Sequence, residues 1–118
     1  MSDYLRRLDL FVFPHPHASN AYYLYTYILI QRMIQAMPDL VLSSWTVHRT
    51  LLVSYLISAK CLEDELPFQF NYLMAAAGGI TLLELNELER SVLSLLNWRV
   101  HVKSSEFWST HDEIGHVH

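Results

Sequence analysis

One cysteine, three glycines and eight lysines and arginines stand among 118 residues, and each scarcity closes off a class of protein. With Cys61 alone no disulfide forms within the chain, and such cysteine usage fits a reducing compartment. Glycine occurs only at 78, 79 and 115, so there is no Gly-rich loop to cradle a phosphate. Eight basic residues face twelve acidic ones, for a net charge of −4. Without a basic cluster a nucleic-acid backbone finds nothing to hold, so direct nucleic-acid binding is not expected. The charge-free stretch 12–31 is broken by prolines, histidines and other polar residues into about ten apolar positions together, where a bilayer span needs roughly 20. No basic segment leads into an apolar core and a small-residue cleavage site, so neither a membrane nor secretion is expected.

What is abundant is apolarity: 52% of the residues are hydrophobic and 17% charged. At single-domain length, this excess means a large interior or an apolar surface that awaits a partner. The apolar residues come in long runs without sustained alternation, which predicts helices throughout. A first helix is expected from Ser2, with Tyr4, Leu5 and Leu8 as its stripe, stopped by "PHPH" at 14–17. A second runs from Ser19 or Asn20 to about Ala36, with Tyr23, Tyr27, Ile30 and Ile34 on one face and Leu24 and Ile28 widening it. A third begins near Ser44 and continues through "VHRTLLVSYLISAKCLED", apolar nearly all round, which makes the second and third the central pair. Pro67 ends that segment, and "FQFNYLMAAA" forms a short fourth helix closed by Gly78-Gly79, where one glycine takes the left-handed terminal conformation. "TLLE", Thr81 to Glu84, is a capping box that opens a fifth helix reaching about Leu96. Trp98 to Val102 alternate weakly, and "SSEFWSTHDE" makes another short helical segment. The fold class expected is all-α, five helices and a short C-terminal helical piece.

One lysine is out of place in this pattern. Lys60 interrupts an otherwise apolar helix just before an acidic end, although burying an ammonium is costly and carboxylates at a helix C-terminus are unfavourable. Taken alone, it reads as a snorkelling side chain at a helix end.

"VHRTLLVSYLISAKCLEDE", followed by "AAAGGITLLELNELERSVLSLLNWRVHV", resembles the cyclin box, and more narrowly the phosphate-regulatory and P/U-type cyclins, in which "VHR" opens the third helix and "GGI" precedes "ELN-LE" in the fifth. With "YLRRL" at 4–8 and "YILIQRM" at 27–33 the resemblance covers most of the chain in order. It implies a cyclin box over 1–110; the His-rich 111–118 is expected to be a mobile tail because terminal segments usually are. It also implies a noncatalytic regulatory subunit, without cofactor or small-molecule substrate, that binds and activates a cyclin-dependent protein kinase in the nucleus or cytoplasm. The alternative is a cyclin-fold adaptor for transcription or signalling proteins that activates no kinase. In cyclins a lysine near the end of the third helix and a glutamate in the fifth face the kinase; these fall on Lys60 and Glu89. By the same match Cys61, Leu93 and Trp98 stand where cyclins present apolar side chains to the kinase, while Leu56 and Leu62 join them at or near helical spacing from Lys60. Trp98 reads equally as a core anchor, and Glu84 and Glu87 read as a solvated helix face. The chain departs from most cyclins at Gln31-Arg32, where they carry aspartate-arginine.

Seven histidines raise a metal-dependent enzyme as a third reading, carried by "HDEIGHVH" at 111–118. That spacing matches no zinc pattern, so no metal ligand is assigned. His15 and His17 lie between prolines and His48 belongs to "VHR", with a role in packing or capping. No histidine has a nucleophile and an orienting acid beside it, which leaves no catalytic residues to name. Tyr22, Tyr23, Tyr25 and Tyr27 lack basic neighbours and read as core and rim of a helix rather than a base-stacking platform.

Overall fold

Two helices that are apolar nearly all round have to be covered, and in the computed structural model they cover each other. The structure describes residues 20–37, 44–63, 66 and 68–117. Its helices are α1 (Asn20–Ala36), α2 (Ser44–Leu62), α3 (Phe70–Gly78), α4 (Leu82–Leu95) and α5 (Ser104–Val117), with no strand among the described residues. The helix expected from Ser2 and the prolines at 14, 16, 38 and 67 lie outside them, so α2 and α4 are the third and fifth helices of the sequence reading.

In α2 every residue from Leu51 to Ala59 is buried. One side of this helix, Leu52, Tyr55 and Leu56, packs with Tyr22, Phe70, Met74 and Leu85, while Val53 and Ile57 pack with Leu24, Leu29, Val92 and Val102. A helix with core on both sides has no room for a polar stripe, which is why its sequence shows almost none. Its exceptions are Ser54 and Ser58. Ser58 Oγ donates to Ser54 O at 2.7 Å, Ser54 Oγ reaches the Met33 sulfur at 3.5 Å, and Thr26 Oγ1 donates to Tyr22 O at 2.8 Å beside Ser58 Oγ. Hydroxyls satisfied this way avoid the penalty of an unpaired buried group. Their small volumes let α1 and α2 approach closely.

The face buried by α1 differs from expectation. Tyr22, Tyr25, Leu29 and Met33 form the inward row, flanked by Leu24 and Ile28, whereas Tyr23, Tyr27 and Ile30 are half-buried and Ile34 is exposed. Both rows keep helical spacing, and Tyr22 and Tyr25 decide the rotation by sending their hydroxyls to Glu63 and to the Val100 carbonyl. The four tyrosines divide into core, Tyr22 and Tyr25, and rim, Tyr23 and Tyr27, a division the sequence did not assign.

The two glycines that close α3 have separate jobs. Gly79 takes φ +72° and its N–H bonds back to Ala76 O, while Ile80 N–H reaches Ala75 O. A Cβ on Gly78 would come within 2.4 Å of the buried Leu52 side chain, so that position sets how near α3 lies to α2. At α4 the capping box is half formed. Thr81 Oγ1 accepts from Glu84 N–H at 3.1 Å, but the Glu84 carboxylate turns to Arg49 at 3.1 Å and ties α4 to α2. Glu84 is therefore paired while its side chain stays 44% exposed, and Glu87 is exposed as expected. The segment expected as a short helical piece is the 14-residue α5, which continues past residue 110 to Val117.

The candidate partner-binding face

Lys60 stands in the last turn of α2, where a cation complements the helix dipole. Its Nζ lies 2.7 Å from Glu89 Oε2 on α4, with the lysine side chain 38% exposed and the glutamate 15%. Glu89 Oε1 accepts from Asn71 Nδ2 of α3 at 3.0 Å, and the same amide donates to Asn86 Oδ1 at 2.8 Å. Three helices are thus joined at one polar junction. Glu89 takes one of the three hydrogens that the ammonium can donate. Of the acidic residues after Lys60, Glu63 takes the Tyr22 hydroxyl.

Asn71 and Asn86 were not singled out from the sequence. Their signal was available: Asn71 is the one polar side chain within "FNYLMAAAG", and Asn86 and Glu89 are three apart on one helix face.

The remaining site residues sort by burial. Cys61 and Leu62 are exposed beside Lys60. The Tyr25 hydroxyl, which donates to the Val100 carbonyl, is pushed far above the ordinary tyrosine range, by burial first and by the neighbouring Cys61 thiol second. Leu93, one turn beyond Glu89, is half-buried, and its carbonyl accepts the Trp98 N–H at 2.8 Å. This bond closes a turn in which Asn97 and Trp98 both take left-handed backbone, φ +52° and +61°. The turn directs the Trp98 side chain outward, 67% exposed, so the core-anchor reading of this residue is set aside. Leu56 is the other correction. It is fully buried in the interior of α2 and offers a partner no surface; it supports the helix that carries Lys60. Lys60, Cys61 and Leu62 from α2, Glu89 and Leu93 from α4 and Trp98 from the following turn are the expected partner-facing residues that keep exposed or partly exposed surface.

Among the described residues no group of three His, Cys, Asp or Glu side chains gathers as a metal site would require. Within α5, His111 Nδ1 lies 3.5 Å from Asp112, its neighbour in the chain. His48 is exposed, and in "VHR" it is Arg49 that makes the link to α4. No helix among the described residues is long and apolar enough to cross a membrane.

The family model for Cyclin matches residues 1–100. Among curated proteins the chain is similar to Cyclin-U2-2 of Arabidopsis thaliana, 34% identical over 83% of this chain and 42% of that one. It is also similar to Cyclin-P3-1 of Oryza sativa subsp. japonica, 32% identical over 83% and 40% respectively. The Nuc-1 negative regulatory protein preg of Neurospora crassa is 34% identical over 83% of this chain and 19% of its own length. The chain spans less than half the length of these relatives. A helical order that matches the expected box, "VHR", "GGI" and "ELN-LE" at the packing points just described, and a family match over most of the sequence lead to one conclusion: this chain belongs to the cyclin family, of the P/U type.

Proposed function

We propose that the chain is a noncatalytic regulatory subunit that binds a cyclin-dependent kinase through α2 and α4 and favours the kinase's active conformation. The observation that carries this reading is the Lys60–Glu89 pair, held across α2, α3 and α4, with Leu62 exposed two residues after the lysine and Trp98 exposed after α4. A fixed ammonium sets the register of a partner's backbone carbonyls, while the exposed apolar side chains supply affinity. In a kinase the regulatory helix carries a glutamate that must meet a strand lysine to align the ATP phosphates. A surface that packs only on the inward position of that helix binds the active state better, and only such differential affinity shifts the equilibrium. Nuclear or cytoplasmic residence belongs to the same proposal.

The test compares the chain with a Lys60→Ala/Glu89→Gln variant in capture of cyclin-dependent kinases from lysate of the source cell, followed by phosphotransfer by the captured kinase. The glutamine keeps an acceptor for Asn71, so circular dichroism should remain that of the parent. Kinase retained by the parent and lost at least tenfold by the folded variant is the expected result. Trp98→Ala should weaken capture as well, with little loss of stability because the ring is mostly exposed. Kinase bound without any gain in phosphotransfer, or other proteins captured through the same face, would replace activation with the adaptor role.

A further inference from the structure

The sequence "RVHVK" at 99–103 follows the turn after α4 without regular secondary structure, with Val102 buried and Val100 half-buried, while Arg99, His101 and Lys103 are exposed. All three line an open cleft of about 680 Å³ between this segment and the C-terminal ends of α1 and α4. Arg32 holds the wall from behind. Its guanidinium donates to Arg99 O at 2.9 Å and His101 O at 3.1 Å, and pairs with Glu106 at 2.7 Å. Glu106 is the only carboxylate among the lining residues, and Arg32 neutralises it. Two permanent cations, Arg99 and Lys103, are left without an acidic partner among the described residues, with the imidazole of His101 between them and the amides of Gln35 and Asn97 nearby. Three of the chain's eight lysines and arginines line this one cleft, in a protein of net charge −4.

We propose that this cleft binds the phosphate monoester of a phosphorylated segment of another protein. A guanidinium fork, an ammonium and amide donors arranged along a fixed wall suit the three oxygens and near-double charge of a phosphate better than a single carboxylate. The cleft volume holds more than the phosphate alone, so the flanking residues of the segment lie in it too. The assignment does not depend on kinase binding, since neither Lys60 nor Glu89 lines the cleft.

The experiment is fluorescence anisotropy of the chain with three labelled peptide libraries of random flanks, centred on phosphoserine, serine or glutamate. An NMR titration of the backbone amides of residues 97–106 with inorganic phosphate runs beside it. The phosphoserine library should bind at least tenfold more tightly than the other two, and inorganic phosphate should displace it while shifting the amides of the wall. Arg99→Gln/Lys103→Gln, which leaves Arg32 and the buried valines in place, should abolish binding, and Lys60→Ala should not alter it. Equal binding of the three libraries overturns the proposal, as does undiminished binding by the double glutamine variant. Amide shifts with inorganic phosphate and no gain for the phosphoserine library would make the cleft a free-anion site and overturn the peptide reading.

Discussion

Gly78 and Gly79 are neighbours with opposite requirements, and substitution separates them. A methyl at Gly79 meets nothing within 4 Å, so Gly79→Ala bears only the left-handed backbone penalty of roughly 1–2 kcal/mol. At Gly78 the backbone is ordinary helix, where alanine is intrinsically favoured over glycine, but the methyl would sit 2.4 Å from Leu52 in the core. Overpacking of this kind costs about 1–3 kcal/mol. Urea denaturation of both variants checks this, with a further distinction. Trimming the neighbour in Gly78→Ala/Leu52→Val should recover part of the loss, while Leu52→Val should recover nothing in Gly79→Ala. The sequence named a glycine pair and a left-handed cap; it carried no sign of the close approach, because that depends on a side chain 26 positions away.

At the scale of elements, the helices were legible wherever their boundaries are written in local chemistry. Thr81 caps α4 and Gly79 ends α3, while the start of α1 at Asn20 and of α2 at Ser44 fall at polar residues ahead of apolar runs. The rotation of α1 was not legible. Two apolar rows compete on a helix that is hydrophobic nearly all round, and only the partners of the Tyr22 and Tyr25 hydroxyls choose between them. Nor was the role of Arg32, which the sequence marked only as the arginine of a pair whose usual aspartate is Gln31 here. In the fold this residue straps α1 to the 99–106 segment through two carbonyls and one carboxylate. Arg32→Ala should destabilise the chain by roughly 1–2 kcal/mol, the pair with Glu106 counting for little because that carboxylate is half exposed. Arg32→Lys should recover little of it, since an ammonium lacks the planar fork that spans all three acceptors. Hydrogen exchange at residues 99–106 should quicken in both.

For the whole molecule, the polar junctions between helices give stability a dependence on pH at the alkaline end. Tyr25 is held protonated in the fold, with its hydroxyl on the Val100 carbonyl, while in the unfolded chain it ionises around its ordinary value of 10. A raised value in the folded state means that the native form holds the proton longer. The contribution is therefore complete below pH 10 and falls as pH rises above it, by up to about 1.4 kcal/mol per unit. Thermal melts between pH 8 and 11 should show a steeper alkaline loss for the parent than for Tyr25→Phe. Of the partner face, Lys60 and Glu89 were found through family resemblance. Their bond to each other, and the support from Asn71 and Asn86, came only with three-dimensional packing. Leu56 went astray for a plain reason: helical spacing from Lys60 says nothing about which side of a nearly uniform helix faces out.

The contacts that complete α1 are made with residues 67 to 75 positions later in the chain. A ribosome making this protein delivers the central pair first and the far ends of their bonds last, so the Tyr25 and Arg32 side chains wait without their final acceptors until the region of Glu106 has emerged. During that interval the groove that later receives Val102 is open, and the nascent chain has reason to be shielded until residues 99–106 have followed.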